Sequence, residues 1–135
     1  MKHASSCSCG EVKVISESEP TRVSICHCPE CQKRTGSVFG VQARFTRNQV
    51  RTEGKTSQWI RAFEDGEKIT FHFCPKCGST MYWFMESLPE IIGTGVGNFA
   101  DPKFPVPTVA VFESRKHPWI EMPGLKIQHF DEVNQ

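Results

Sequence analysis

The chain has 135 residues, of which 38% are hydrophobic and 23% charged, and its formal net charge is +1. This length suits one domain with one core, here taken as residues 1–135. The near-neutral charge gives no electrostatic footprint for nucleic acid, and no apolar run is long enough for a membrane span or a secretory signal. We therefore expect a single-domain cytoplasmic protein with neither a membrane nor a nucleic-acid partner.

Five short segments alternate between polar and apolar residues and are rich in β-branched and aromatic side chains, which predicts strands. In chain order they are EVKVI (11–15), VFGVQARF (38–45), KITFHF (68–73), TMYWF (80–84) and TVAVF (108–112). Stretches rich in glycine and proline separate them, as expected for turns. The sequence thus predicts a mainly β protein of two packed sheets, with the cysteines on turns at strand ends.

One segment favours a helix instead. Pro29 suits the first helical position, residues 30–35 (ECQKRT) can form one or two turns, and Gly36 can end them. The aromatic residues of 81–84 are expected in the core, and Trp119 is expected to pack beside Pro118. The last five residues, DEVNQ, are expected to fray.

The cysteines carry the strongest functional signal. There are seven of them: Cys7, Cys9, Cys26, Cys28, Cys31, Cys74 and Cys77. An odd number cannot all form disulfides within one chain, and a reducing compartment favours metal binding. Seven thiols exceed one tetrahedral zinc site by three. The simplest partition is one closed four-thiol site and one open three-thiol site.

The pair in CPKCG, Cys74 and Cys77, can direct both sulfurs at one ion across a tight turn. Pro75 presets φ for that turn, and Gly78 can adopt the positive φ that follows it. Zinc requires a second pair. Cys7 and Cys9 are one candidate, because residues two apart on a strand point the same way and a bulge at Gly10 brings their sulfurs closer.

Spacing alone also permits a rival pairing, in which Cys28 and Cys31 complete the site of Cys74 and Cys77. Against this, Cys28 and Cys31 lie close enough to Cys26 for the three to hold one ion. Three protein ligands with a free position are typical of catalytic zinc.

Two other interpretations of the three-thiol segment stay open. A second structural metal would need a fourth ligand such as His27 or His72, although His27 points away from its neighbours if the segment is a strand. The letters CPEC also occur in dithiol redox motifs, but here the βαβ setting of those motifs is missing.

Taken together, the motifs resemble the glutathione-dependent formaldehyde-activating enzyme family. That family has an early C-x-C-G, a C-H-C-x-x-C followed by a basic pair and T-G-S, a C-x-x-C-G-S before an aromatic strand, a Gly/Asp/Pro segment and a late tryptophan. The corresponding segments here are CSCG (7–10), CHCPECQKRTGS (26–37), CPKCGSTMYW (74–83), GNFADPKFPVP (97–107) and KHPWIEM (116–122). The resemblance covers nearly the whole chain.

The resemblance implies a β-tent fold, with two small packed antiparallel sheets stapled by zinc, and two zinc ions per chain. It implies a structural zinc held by four cysteines (Cys7, Cys9, Cys74 and Cys77) and a catalytic zinc held by three (Cys26, Cys28 and Cys31). The implied activity is that of a carbon–sulfur lyase, an S-(hydroxymethyl)glutathione synthase that joins a glutathione-like thiol to a formaldehyde-like aldehyde.

Lys33 and Arg34 are candidates to bind the carboxylates of the thiol or to offset the negative charge of a three-thiolate zinc site. Two positions depart from the family pattern. Gln32 stands where relatives often carry Arg or Lys, and Ala110 stands where many carry His, nine residues before Trp119. The alternative function is a non-catalytic zinc module for contact with protein or nucleic acid.

Overall fold

The computed structural model describes residues 2–133, and within them the chain forms one α-helix and eleven strands in two sheets. The helix α1 spans Pro29–Thr35. The strands are β1 His3–Ser6, β2 Lys13–Ser16, β3 Arg22–Cys26, β4 Gly40–Thr46, β5 Val50–Glu53, β6 Ser57–Ala62, β7 Lys68–Phe73, β8 Thr80–Met85, β9 Leu88–Gly95, β10 Val109–Val111 and β11 Gln128–His129. No helix in this part of the chain has the length and apolarity needed to cross a membrane.

The smaller sheet has three antiparallel strands in the order β1-β2-β5, and the larger sheet has eight in the order β11-β10-β3-β4-β9-β8-β7-β6. The predicted mainly β class with two sheets is confirmed. The expectation that both sheets are small and antiparallel is wrong for the larger one, because β10 runs parallel to β3 and to β11.

The predicted elements reappear with small shifts in their ends. Strand β7 has the predicted bounds. Helix α1 begins at Pro29 and is terminated by Gly36, the residue after Thr35, whose φ is +72° and whose N–H donates to the Gln32 carbonyl at 2.8 Å. The alternating pattern does not predict the other six strands, β1, β3, β5, β6, β9 and β11. β3 is buried almost throughout, and β9 carries Pro89 and two glycines, so neither has the simple two-residue period.

The main core lies between the two sheets and includes side chains from both, among them Val14, Phe45, Met81 and Ile92. Met81, Tyr82 and Trp83 are buried, as expected for the aromatic strand. The expectation for Trp119 is wrong: it is 69% exposed, because it lies outside any strand and meets only the edge of the His117 ring in an aromatic contact.

The C-terminal segment is better held than the sequence suggested. The Glu132 carbonyl accepts a hydrogen bond from the Phe112 N–H at 2.9 Å, and the Asp131 carbonyl accepts one from the Ser114 N–H at 3.3 Å. Fraying is therefore a wrong expectation for these two residues. Asn134 and Gln135, also part of that expectation, lie outside the described residues.

A row of aromatic side chains crosses the larger sheet on one face. Trp59, Phe71 and Trp83 are paired in register on β6, β7 and β8, and Gly93 on β9 continues the row. A Cβ on Gly93 would lie 2.1 Å from Trp83 Nε1, so the missing side chain at this position leaves the space that the indole ring occupies.

We predict that Gly93→Ala lowers the free energy of unfolding by about 1–3 kcal/mol, because the added methyl group must displace the Trp83 ring. Urea unfolding of the metal-replete protein measures this. Gly97→Ala is the matched control, since a Cβ there meets nothing within 4 Å. Equal unfolding midpoints for the two variants would show that the Trp83 ring is not fixed by Gly93.

Candidate metal centres

The first pair of thiols lies on the turn between β1 and β2. Cys7 and Cys9 flank Ser8, the Cys7 N–H donates to the Val12 carbonyl at 2.9 Å, and the Gly10 N–H donates to the Cys7 carbonyl at 2.9 Å. Gly10 has a φ of +83°. The expected strand with a bulge at Gly10 is wrong; a tight turn positions both sulfurs.

The second pair lies on the turn between β7 and β8, as the sequence predicts. The Cys74 N–H donates to the Ser79 carbonyl at 2.9 Å, and the Gly78 N–H donates to the Cys74 carbonyl at 2.8 Å. Gly78 has a φ of +82°, which glycine adopts without a steric cost. Cys77 therefore lies at the end of a closed turn that faces the turn of Cys7.

These two turns bring four sulfurs together. The Sγ atoms of Cys7, Cys9, Cys74 and Cys77 all lie within 4.8 Å of one another. Cys9 Sγ is 3.6 Å from the Sγ atoms of Cys7 and Cys74. A tetrahedral zinc ion with Zn–S bonds of about 2.3 Å needs sulfurs about 3.8 Å apart, so the group fits such an ion.

Hydrogen bonds favour thiolate, the metal-binding form, at two of the four thiols, Cys7 and Cys77. The Val12 N–H donates to Cys7 Sγ at 3.2 Å. The Ser79 hydroxyl lies 3.4 Å from Cys77 Sγ, and hydrogen bonds from this hydroxyl and from the Ser79 backbone lower the pKa of the Cys77 thiol to about 5. The protein thus prepares part of the cluster for a cation.

The remaining three thiols lie at the end of β3 and the start of α1. Cys26 ends β3, Cys28 caps the helix, and Cys31 is buried in its first turn. Their Sγ atoms lie within 4.8 Å of one another, and in residues 2–133 no further His, Cys, Asp or Glu joins the group. All seven cysteines are unpaired, so neither group is a disulfide.

The three-thiol cluster shares its protons unevenly. Hydrogen bonds with Cys26 and Cys31 lower the pKa of the Cys28 thiol to about 2, and the positive charge of Arg61 contributes in the same direction. The Cys31 N–H also donates to Cys28 Sγ at 3.3 Å. The pKa of Cys26 is raised, chiefly by its hydrogen bond to Cys28. Cys28 is therefore the thiol of the cluster that loses its proton most readily, and Cys26 retains its own more strongly.

Strand β10 and the residue after it cover the cluster from one side. Val109 and Val111 pack against the three cysteines, as does Phe112, whose φ of +55° is unusual for a bulky residue. The Phe112 N–H bond to Glu132 fixes this conformation. Opposite, the Gln42 amide donates to Cys31 Sγ at 3.3 Å. Sequence reasoning missed Gln42 and Phe112, because neither belongs to a cysteine motif.

Neither of the two candidate histidines joins the cluster. His27 is 2% exposed, lies 5.9 Å from the Phe39 ring, and faces a cavity of about 50 Å³ that it shares with Ala110. His72 Nδ1 lies 2.8 Å from the Thr56 hydroxyl, and its ring stacks on Tyr82. The structure therefore provides three thiols without a histidine as fourth ligand.

The two positions that depart from the family pattern have clear structural surroundings. The Gln32 amide nitrogen donates to the His27 carbonyl at 2.8 Å, and its oxygen lies 3.0 Å from His117 Nε2. Gln32 thereby holds the backbone between Cys26 and Cys28. Ala110 is 2% exposed and lines the small cavity beside His27, away from the sulfurs.

The two basic residues of α1 differ sharply in setting. The Lys33 side chain is 77% exposed and lies 4.0 Å from Glu30. The Arg34 guanidinium lies 4.6 Å from the Trp83 ring centroid and 5.5 Å from that of Phe71. It also borders a surface cavity of about 450 Å³ that extends to the turn after Cys77. Arg34 is therefore a fixed positive charge between the two clusters.

The fold and the site together define a class: a small mainly β protein with one four-thiol and one three-thiol cluster, each able to hold a metal ion. Within that class the chain belongs to the glutathione-dependent formaldehyde-activating enzyme family, whose model matches residues 2–115. The resemblance seen in the motifs is thereby confirmed.

A solved structure supports the fold. The chain is similar to the crystal structure of a Rhodobacter sphaeroides protein determined by the Northeast Structural Genomics effort, with a TM-score of 0.55 and 20% identity. The match covers 74% of this chain and 92% of the other. At this identity the likeness shows the fold alone. No curated protein matches the chain.

We predict two zinc ions per metal-replete chain, one for each cluster. Cys7→Ser and Cys28→Ser should each lose about one ion, because each removes a ligand from a different group. Elemental analysis of gel-filtered protein measures the content, with Ser8→Ala as the control. The rival pairing requires Cys7→Ser to leave the four-thiol ion in place, and that result would contradict the arrangement described above.

Proposed function

We propose that the protein is a zinc-dependent carbon–sulfur lyase that joins a glutathione-like thiol to a formaldehyde-like aldehyde and also catalyses the reverse reaction. The observation that carries this proposal is the three-thiol cluster beside Arg34, which in residues 2–133 has no fourth protein ligand. Membership of the family supports the substrates.

The proposed reaction is an addition without any redox change. The sulfur of the thiol forms a bond to the carbonyl carbon, the C=O π bond opens, and the proton lost from sulfur ends on the former carbonyl oxygen. The product with glutathione and formaldehyde is S-(hydroxymethyl)glutathione. Holding the two reactants together lowers the entropic part of the barrier.

In this proposal Cys26, Cys28 and Cys31 hold the catalytic ion. A zinc ion bound there would supply acidity to an incoming thiol, so that its sulfur is nucleophilic near neutral pH. The chain's own residues prepare the position: the Cys31 N–H and the Gln42 amide donate to the sulfurs. Val109 and Phe112 exclude water from one side of the cluster.

The four-thiol cluster has a different role in the proposal. Cys7, Cys9, Cys74 and Cys77 hold a structural zinc that joins the β1–β2 turn to the β7–β8 turn. Neighbouring contacts reinforce the same junction, since the Ser8 N–H donates to the Ser79 hydroxyl and Lys76 lies 3.2 Å from Glu11. Loss of this ion should lower the free energy of unfolding directly and should lower the catalytic activity only through the loss of folded protein.

We expect the zinc-loaded protein to accelerate adduct formation between glutathione and formaldehyde above the uncatalysed rate. Cys28→Ser should reduce kcat/KM by more than about 100-fold, because it removes a ligand of the catalytic ion. Exchange-detected NMR of the free and adduct forms measures the rate, and circular dichroism shows whether the variant is folded. An unaccelerated reaction with two ions bound would favour a non-catalytic zinc module.

Arg34 and Lys33 form a matched pair for testing the binding of the thiol's carboxylates. Arg34→Gln should lower kcat/KM for glutathione about tenfold, since a charge-assisted hydrogen bond is lost. Lys33→Gln should change it less than twofold, because the Lys33 side chain is solvated. Steady-state kinetics with varied glutathione measures kcat/KM for both variants. Equal losses in the two variants would show that Arg34 does not bind the carboxylates of the thiol.

A further inference from the structure

Strand β6 (Ser57–Ala62) forms one edge of the larger sheet, and within residues 2–133 its single neighbour in the sheet is β7. All six of its residues pair with β7 without a register shift. The other edge strands of the two sheets are shorter, since β1 and β5 have four residues each and β11 has two. Strand β6 is therefore the longest open edge in the described part of the chain.

This edge lacks the features that usually prevent an edge strand from pairing with another chain. Those features are lysine, proline, a bulge or a very short strand, and the β6 sequence SQWIRA has none of them. Its one charged side chain, Arg61, lies 4.4 Å from the Phe63 ring centroid. Trp59 and Ile60 are 53% and 54% exposed, and as successive strand residues they lie on opposite faces. Both faces of the open edge are therefore apolar.

The hydrogen bonds to β7 define which backbone groups of β6 face outward. The Phe63 N–H, directly after β6, donates to the Glu67 carbonyl at 2.9 Å and so points toward β7. In an antiparallel ladder, residues that bond to the neighbouring strand alternate with residues that do not. Counting back from Phe63, the N–H and C=O groups of Gln58, Ile60 and Ala62 point to the open side. These groups can bond to a further strand.

The two ends of the open edge have opposite charges. Lys55 lies two residues before β6, whereas Glu64 and Asp65 follow it in the turn to β7, and all three side chains are exposed. An identical strand that runs antiparallel to β6 brings its acidic end to the basic end of the first copy, and this happens at both ends. The edge is therefore complementary in charge to a second copy of itself.

We propose that two copies of the chain associate through β6, antiparallel about a two-fold axis at Ile60, so that their larger sheets form one continuous sheet. In this register Ile60 of each copy exchanges N–H and C=O hydrogen bonds with Ile60 of the other. Trp59 of one copy lies opposite Arg61 of the other on the same face, where the guanidinium can contact the indole ring. This dimer goes beyond the proposed function and does not depend on it.

Charge and symmetry favour a second copy over a different partner. The charges at the two ends of the edge match an identical antiparallel strand, whereas a parallel copy would bring like charges together. A two-fold pair uses the open β6 edge of both copies, so the assembly closes at the dimer. The opposite edge of the larger sheet is β11, whose two residues are too few to continue the sheet.

Sedimentation velocity of the zinc-loaded full chain tests the dimer at protein concentrations from about 1 to 500 μM, since an interface of one strand from each copy is small. The mass should rise with concentration from the 15.3 kDa of the monomer to twice that value. Ile60→Lys should weaken association by about tenfold or more, because two lysines would face each other at the centre. Val106→Lys is the matched control: it adds the same charge at a residue that is 59% exposed elsewhere and should leave association unchanged. Circular dichroism checks that both variants are folded.

Two charge-reversed variants test the antiparallel arrangement. Lys55→Glu and Glu64→Lys should each weaken self-association about fivefold, because like charges then meet at both ends of the paired strands. An equimolar mixture of the two variants should recover the association, since opposite charges meet again at both ends. In a parallel arrangement each reversal would exchange one pair of like charges for another, so neither variant alone would associate more weakly.

Three results would overturn the proposal. The first is a chain that stays monomeric at every concentration. The second is a dimer that Ile60→Lys leaves intact, because that dimer would use another surface. The third is undiminished self-association of both Lys55→Glu and Glu64→Lys, which would exclude the antiparallel pairing of β6.

Discussion

The close approach of two turns that together carry four thiols is the constraint on which the rest of the structure depends. The β1–β2 turn belongs to the three-stranded sheet and the β7–β8 turn to the eight-stranded sheet, and their sulfurs lie within 4.8 Å. Four thiolates at this separation repel one another, so the arrangement is stable only when protons or a cation offset their charge. Cys7 and Cys74 also belong to the core between the sheets, so an ion bound by this cluster would couple metal binding to core packing.

The three-thiol cluster has a different architecture because its thiols come from one continuous segment. A strand end, a helix cap and the first helical turn place three sulfurs together without help from a distant part of the chain. What distant residues supply is the surroundings: Gln42 on one side and Phe112, with its left-handed backbone, on the other. Long-range pairing of β10 and β4 with β3 therefore covers a set of thiols that the chain brings together locally.

The sequence predicts the local parts of this protein well and the long-range parts poorly. Pro29, Gly36 and Gly78 each mark a turn or helix end through the φ they favour, and the structure has those turns there. The parallel pairing of β10 with β3 depends on a crossover of many residues, which no local pattern records. Trp119 shows the same limit, since the hydrophobicity of a loop residue does not by itself reveal whether other residues bury its side chain.

The candidate site likewise has a local part that the sequence predicts and a long-range part that it does not, and Arg34 shows why. From the sequence, Lys33 and Arg34 are equivalent basic neighbours on a short helix. The structure separates them because successive helical residues point about 100° apart, which sends Lys33 to solvent and Arg34 onto the Trp83 ring. That placement depends on a residue from a distant strand: a Cβ at Gly93 would lie 2.1 Å from Trp83 Nε1, so the glycine leaves the space for the indole ring on which the guanidinium lies. The position of the charge beside the cluster therefore depends on the pairing of β8 with β9, which no local sequence pattern predicts.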